Sequence, residues 1–197
     1  MSVVAALPVQ HRLVDLPMAG LYPLHVDRAN HLLTAWGHKL GPVHRPFTQV
    51  AYALEIGGET VAVAVSGSTV SATVAGYRRT EVVELTRLCA VPGNAWANRV
   101  LLRLWREVCA PAWPGWAVQA CISYSHNAMH HGDLYRADGW VKVTDKAGFT
   151  SGSNYGRGSE DYAAAGKKTL WVWIYDELAR DVARQAERAR ARKGRTA

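Results

Sequence analysis

Apolar residues recur along this chain at two spacings, and the changes from one to the other mark out its elements. A possible first strand lies within Leu13 to Leu24. From Val26 to about Trp36, Ala29, Leu32, Leu33 and Trp36 fall at helical spacing, with Asp27 near the start. Val50, Tyr52, Leu54 and Ile56 then alternate with other residues, Gly57-Gly58 supplies a turn, and Val61, Val63 and Val65 alternate back, which reads as a hairpin. Val82 to Val91 reads as a strand with a buried face, followed by a Pro92–Asn98 loop and an apolar helix from Val100 to Val108. Val118, Ala120 and Ile122 alternate with Gln119, Cys121 and Ser123 in a further strand that breaks at Ser125–Asn127. A short helix is predicted through Met129 to Arg136, stopping at Gly139, a usual residue just past a helix end. Val141 and Val143 suggest another strand, and Thr169 to Tyr175 is strongly β-forming. From Asp176 the pattern turns helical, with a weak apolar stripe among many Arg and Ala.

Between these elements, Ser66 to Thr80 is small and polar and reads as a loop. Thr150 to Gly166 is too long and too rich in Gly and Ser for an ordinary hairpin connection, and loops of that kind often carry function. With 197 residues and 49% hydrophobic content, the chain is long enough for one sizeable core. We divide it into a domain over 1–176 and a basic helix or tail over 177–197. No apolar run reaches about 18 residues, so no membrane span is expected. The first residues lack the basic start and apolar centre of a secretory signal. Three cysteines in apolar segments, without C-x-x-C spacing, fit buried thiols in a reducing cytoplasm. The formal charge of +7 favours acidic partners such as DNA. Arg188 to Arg195 carries five Arg and Lys, readable as a solvated helix or as an arm lying on phosphates.

Several polar residues sit where chemistry could use them. Glu84, Thr86 and Arg87 interrupt a strand that otherwise reads as buried. With strand geometry Glu84 and Thr86 share one face and Arg87 takes the other, so they serve as an internal ion pair or supply a base. His126, His130 and His131 cluster, and His126 with His130 have the spacing of one helix face. No acidic residue completes an H-E-x-x-H pattern, so no metal site is assigned. Asn127, Leu134, Tyr135, Gly139 and Trp140 stand in the order N-x6-L-Y-x3-G-W.

That last motif resembles the coenzyme A-side motif of the GNAT acyltransferases. The resemblance implies an α/β (α+β) fold: a central, mixed but mostly antiparallel sheet, splayed between two central strands and flanked by helices. It implies acetyl-CoA or a related CoA thioester as cofactor, and Tyr135 as the group that protonates the departing thiolate; the alternative for Tyr135 is a core aromatic. It places the cofactor along Leu88, Cys89 and Val91, at Asn94, Asn98 and Arg99 after the strand, and at Asn127. The usual Gly-rich pyrophosphate loop is absent. Gly93, Ala95 and Ala97 are small enough for a phosphate to approach backbone amides.

A narrower resemblance rests on Glu84–Leu88 (E-L-T-R-L), the Asn-bearing loop after it, Ser123–His126 (S-Y-S-H) and His131–Trp140. These are similar to motifs of the phage Mom DNA-modification proteins, which implies action on the exocyclic amine of adenine in DNA. Where that family has an acidic residue in S-Y-A-D, this chain has His126. On this reading Tyr135, Glu84, Tyr124 and His126 are the catalytic candidates. Arg45, Arg87, Ser123, His131 and Tyr155 are candidates for contact with substrate or nucleic acid. A base extruded from a duplex would stack on aromatics such as Tyr124, Tyr155 or Trp36. No helix-turn-helix or finger signature is present. The alternatives are an acetyl-CoA-dependent N-acetyltransferase acting on a small molecule or protein amine, and a catalytically silent module of the same fold that binds nucleic acid.

Overall fold

The protein is described by a computed structural model over residues 18–45, 48–128, 131–147 and 168–193. Among these, β1 (Ala19–Leu24) and α1 (Val26–Ala35) precede the hairpin β2 (Gln49–Ile56) and β3 (Glu59–Gly67). A small ribbon, β4 (Thr73–Val74) and β5 (Tyr77–Arg78), leads to β6 (Val82–Ala90) and α2 (Ala95–Leu104), whose end continues as a π-helical turn over Trp105–Cys109. Then come β7 (Ala120–His126), α3 (Asp133–Ala137), β8 (Val141–Ala147), β9 (Lys168–Ile174) and α4 (Glu177–Lys193). The main sheet has the order β1-β2-β3-β6-β7-β9-β8. Every neighbouring pair is antiparallel except β6 and β7, which run parallel.

Three apolar clusters fix how the helices cover the sheet. α2 and the turn after it pack Ala97, Leu101, Leu102 and Trp105 against Val83, Leu85 and Cys121. α1 packs Ala29, Leu32 and Leu33 against Val63, Val65 and Cys89 on the other side. Val82, Ile122, Leu170 and Val172 form a third cluster, joined by Val74 of the small ribbon and by Ala183 of α4.

The position of the site follows from a change of parity in β6. Val83 and Leu85 face α2, but so do Leu88 and Ala90, while Cys89 lies with α1. Strict alternation forbids this, and the register against β3 supplies the reason: Val65 pairs with Arg87 and the next residue, Ser66, pairs with Leu85. Thr86 is passed over as a β-bulge, and its Oγ1 donates to the Val65 carbonyl at 2.8 Å. A bulge bends its strand and ends pairing locally. Pairing of β6 with β7 runs from Val82–Ala120 to Leu85–Ser123 and stops there, although β6 continues to Ala90 and β7 to His126. The two strands open into a fork, as the sequence led us to expect.

Local details differ from the sequence reading. α2 begins at Ala95, not Val100, because Asn94 serves as its N-cap and the residues read as loop form its first turn. The small polar run before β6 contains the β4–β5 ribbon. β7 continues through Ser125 and His126, held by β9. α3 is shorter than predicted and starts at Asp133, after Gly132 in the left-handed region (φ 75). The first half of the C-terminal helix, ahead of the basic run from Arg188, is tied to the sheet: Arg180 donates to the Ile174 carbonyl at 2.8 Å and Arg184 to that of Gly139 at 2.6 Å. Glu187 accepts from the Lys142 amide at 3.1 Å.

Gly132 offers a direct check on this packing, because a Cβ there would sit inside the Trp171 indole. Gly132→Ala should lose roughly 2–4 kcal/mol in urea unfolding, combining left-handed strain with overpacking. Gly58→Ala, also at positive φ but facing open space, should lose only about 1–2 kcal/mol. Equal losses would show that the indole does not lie where we describe it.

Candidate active site at the strand fork

Side chains alternate along β7. Cys121, Ser123 and Ser125 face α2 and α3, while Ala120, Ile122, Tyr124 and His126 face the other way. The fork therefore has two differently furnished sides.

On the α3 side stands Tyr135. Its ring stacks on Trp171 (centroids 5.6 Å apart, planes 16° from parallel) and meets Trp140 edge-on at 5.4 Å and 73°. Its hydroxyl lies 2.8 Å from Ser123 Oγ, which in turn donates to the Leu85 carbonyl at 3.1 Å. Leu85 and Ser123 are the last paired residues before the strands part, so this chain of hydroxyls marks the apex of the fork. Burial pushes the Tyr135 phenol above its ordinary value, and the bond to Ser123 partly opposes that.

The indoles around Tyr135 are themselves anchored. Trp171 Nε1 donates to Ser125 Oγ at 2.8 Å and Trp140 Nε1 to Asp138 Oδ2 at 3.1 Å. Asp138, 5% exposed, also accepts from Arg106 Nε at 2.6 Å and Arg103 Nε at 3.3 Å. The Arg106 guanidinium lies 3.6 Å from the centroid of Trp173. Nothing in the sequence reading singled out Asp138 or Arg106. The signal was faint: an Asp before the Gly-Trp of the motif, and an Arg-Glu pair in the turn after an apolar helix.

The opposite side holds Glu84, Arg45 and Tyr124. Arg45 grips both carboxylate oxygens of Glu84, at 2.6 and 2.8 Å, and neither side chain is well exposed. Tyr124 is pushed up to about 12, first by burial and then by the Glu84 charge, with Arg45 opposing. His126 lies beyond it on the opened end of β7, its Nδ1 buried without a hydrogen-bond partner among the described residues. Arg87 is buried, and its guanidinium donates to the carbonyls of Leu40, Gly41 and Thr86 at 2.8–3.1 Å, tying the loop after α1 to β6.

The remaining expected positions spread along the fork. Leu88 lies on the α2 side of the opened part of β6, whereas Cys89 faces α1. Val91 bonds back to the Val61 carbonyl. Asn94 caps α2 by position while its Oδ1 accepts from Trp96 Nε1 at 3.1 Å. Asn98 Oδ1 is buried without a hydrogen-bond partner among the described residues, and Arg99 is exposed. Asn127 does not open a helix. It ties three strands at one end, donating to the Asp145 carbonyl and accepting from Thr169 Oγ1, each at 2.8 Å. His131 is exposed, and Tyr155 and His130 lie outside the described residues. Among the described residues no group of three or more His, Cys, Asp or Glu could hold a metal ion, and no helix is long and apolar enough to cross a membrane.

No protein-family model matches the chain, and no curated protein gives a significant match. Solved structures do. The fold is similar to that of a probable acetyltransferase from Staphylococcus epidermidis (TM-score 0.52, 9% identity, 80% of this chain and 99% of that one). It is also similar to that of the IAA acetyltransferase from Bacillus cereus (TM-score 0.50, 11% identity, 80% of this chain and 99% of that one). The forked, mixed sheet flanked by helices is a GNAT-like fold.

Burial at the site has a consequence at alkaline pH. The Cys109 and Cys121 thiols are pushed up to about 12 by burial, as is the Tyr124 phenol, from 9.0 for the thiols and 10.0 for the phenol. The folded chain holds these protons more tightly than the unfolded one. The resulting stability is complete below about pH 9 and is lost as the pH rises through about 12. Melting temperature should hold steady up to about pH 9 and then fall; a flat profile well above that would contradict the burial of these groups.

Proposed function

We propose that the protein is an acyl-CoA-dependent N-acyltransferase whose thioester site is the β6–β7 fork. The observation that carries this reading is the Tyr135 hydroxyl at the apex of the fork. Three further features suit a coenzyme A thioester. Beyond the bulge, β6 from Arg87 to Ala90 is not paired with β7, so backbone groups on that edge can receive the amides of an extended pantetheine arm. The N-terminus of α2 has no side-chain cap, which leaves its first amides for phosphate. Gly93, at φ 88, has open space where a Cβ would project, so phosphate could approach that turn closely. The solved structures of similar fold named above are a probable acetyltransferase and an IAA acetyltransferase, which also supports acyl transfer.

A bound thioester supplies an electrophilic carbonyl carbon and a thiolate to be discharged. Tyr135 stays protonated at neutral pH because burial disfavours its phenolate, and that is the state an acid must hold. Its ring cannot drift, being held between two anchored indoles. On the other side of the fork, His126 Nδ1, without a hydrogen-bond partner among the described residues, is the group we assign to receive the amine proton.

A second reading concerns the acceptor. Arg45 occupies both oxygens of Glu84, so this pair carries no net charge with which to draw an ammonium group. An amine already neutral at pH 7, such as the exocyclic amine of adenine in DNA, suits that environment, and the charge of +7 suits a polyanion. Mass spectrometry of nucleosides from cells expressing the protein should then reveal a modified deoxyadenosine; unmodified DNA beside acylation of a small amine would discard this reading and keep the first.

The acid assignment is tested by Tyr135→Phe, which keeps the ring and removes the proton donor. Release of free thiol from acetyl-CoA in the presence of an acceptor amine should fall about 10²–10⁴-fold, with the melting temperature nearly unchanged. Full activity in the variant would make Tyr135 a core aromatic and nothing more.

A further inference from the structure

We propose that Ser123 is a positioning residue for Tyr135: it takes the phenol's hydrogen bond at rest and turns its own O–H onto the phenolate once the proton has left. The inference rests on the reading of Tyr135 as the acid. From sequence, Ser123 stood only as a candidate contact to substrate, but at 2% exposure its hydroxyl is given over to Tyr135 and Leu85.

The direction of the two hydrogen bonds follows from counting protons. A carbonyl oxygen only accepts, so the single Ser123 hydroxyl proton points at Leu85 O, 3.1 Å away. The Tyr135 hydroxyl, 2.8 Å from Ser123 Oγ, must therefore be the donor in that pair. As the thioester C–S bond breaks, its electron pair goes to sulfur and the Tyr135 proton moves to that sulfur. The phenolate left behind has no proton to donate. Rotation of the Ser123 hydroxyl by one well about Cβ–Oγ gives it a donor, exchanging a neutral bond to Leu85 O for a stronger charge-assisted one. The attacking amine forms the C–N bond and gives its proton to His126; His126 then releases a proton to solvent and the phenolate takes one up, so the cycle closes as amine plus thioester to amide plus thiol.

Among the described residues, the surroundings leave Ser123 as the group that can do this. Trp171 and Trp140 enclose the ring without charge, and their N–H groups are committed to Ser125 and Asp138. The Arg136 guanidinium lies over Trp171, 5.5 Å from its centroid. The Ser123 bond is the influence that opposes burial on the phenol. Ser123 also sits on the last paired rung of the fork, so its backbone is fixed by β6 and β9 together.

The test is a double-mutant cycle with a spectroscopic arm. Ser123→Ala should lower kcat about 10- to 100-fold while KM for acetyl-CoA changes little. In a Tyr135→Phe background the same substitution should cost nothing further, because Ser123 acts through the phenol. Ser123→Thr, which keeps a hydroxyl, should recover most of the rate. Independently of activity, the Tyr135 signal of [ζ-13C]tyrosine-labelled protein, assigned by its loss in Tyr135→Phe, should titrate at higher pH in Ser123→Ala than in the parent. An equal loss of kcat in both backgrounds, or an unmoved Tyr135 titration, would overturn the proposal. A parent protein inactive with every acyl-CoA and amine tried would overturn the acyltransferase reading and the catalytic use of the pair, while the tyrosine titration would still report whether the two hydroxyls are coupled.

Discussion

One misfit in strand pairing governs this molecule. β6 must satisfy β3 on one side and β7 on the other, and the bulge at Thr86 prevents it from doing both along its whole length. Ladder pairing with β3 resumes past the bulge at Arg87, so the strand remains part of the sheet, while β7 is released after Ser123 and held by β9 instead. Burying unpaired backbone is costly, so such an opening persists when something else fixes both strands. Here Thr86 Oγ1 takes the Val65 carbonyl, Ser123 Oγ takes that of Leu85, and Arg87 fastens the neighbouring loop to β6. The fork is thus held open by side-chain hydrogen bonds that substitute for ladder bonds, and the same substitution brings a serine hydroxyl to Tyr135.

The aromatic side of the fork is rigid for a related reason. Large indoles fill space but leave one donor each, and an unpaired buried donor is costly. Trp105, Trp140 and Trp171 give theirs to Ser66, Asp138 and Ser125. Asp138 then carries the heaviest obligation, since its buried carboxylate is compensated by the equally buried Arg106. Such a pair adds little net stability against an apolar replacement, but losing one partner costs about 3–5 kcal/mol. Its effect is to fix where α3 ends relative to the π turn after α2, and with it the direction of the Tyr135 ring.

The sequence displayed some of this and concealed the rest, for identifiable reasons. The β2–β3 hairpin was plain because alternation and Gly-Gly are both local. The L-Y-x3-G-W run was plain because α3, its left-handed end at Gly139 and the entry to β8 are contiguous in the chain. The bulge was not legible: E-L-T-R-L alternates acceptably as a regular strand, and only the register with β3 shows that parity changes at Thr86. Glu84 was noticed as an odd charge in a strand, but its partner Arg45 lay in a loop read as a candidate for contact with substrate or nucleic acid. Arg106 and Asp138 were passed over because each is unremarkable alone, and they meet only where the π turn after α2 reaches the end of α3. Asn127 was assigned to the cofactor by resemblance alone, and its joining of the ends of three strands was not legible because Asp145 and Thr169 are distant in the chain.

If the fork is an acyl-CoA site, its opened strand edge and the uncapped start of α2 must be where the ligand is held. Amide hydrogen exchange with and without coenzyme A measures that directly. We expect slowed exchange on adding coenzyme A at the amides between Arg87 and Ala90 and at Ala95 and Trp96, with β2 and β3 unchanged. No protection at either segment at saturating coenzyme A, or protection confined to other parts of the chain, would contradict the account.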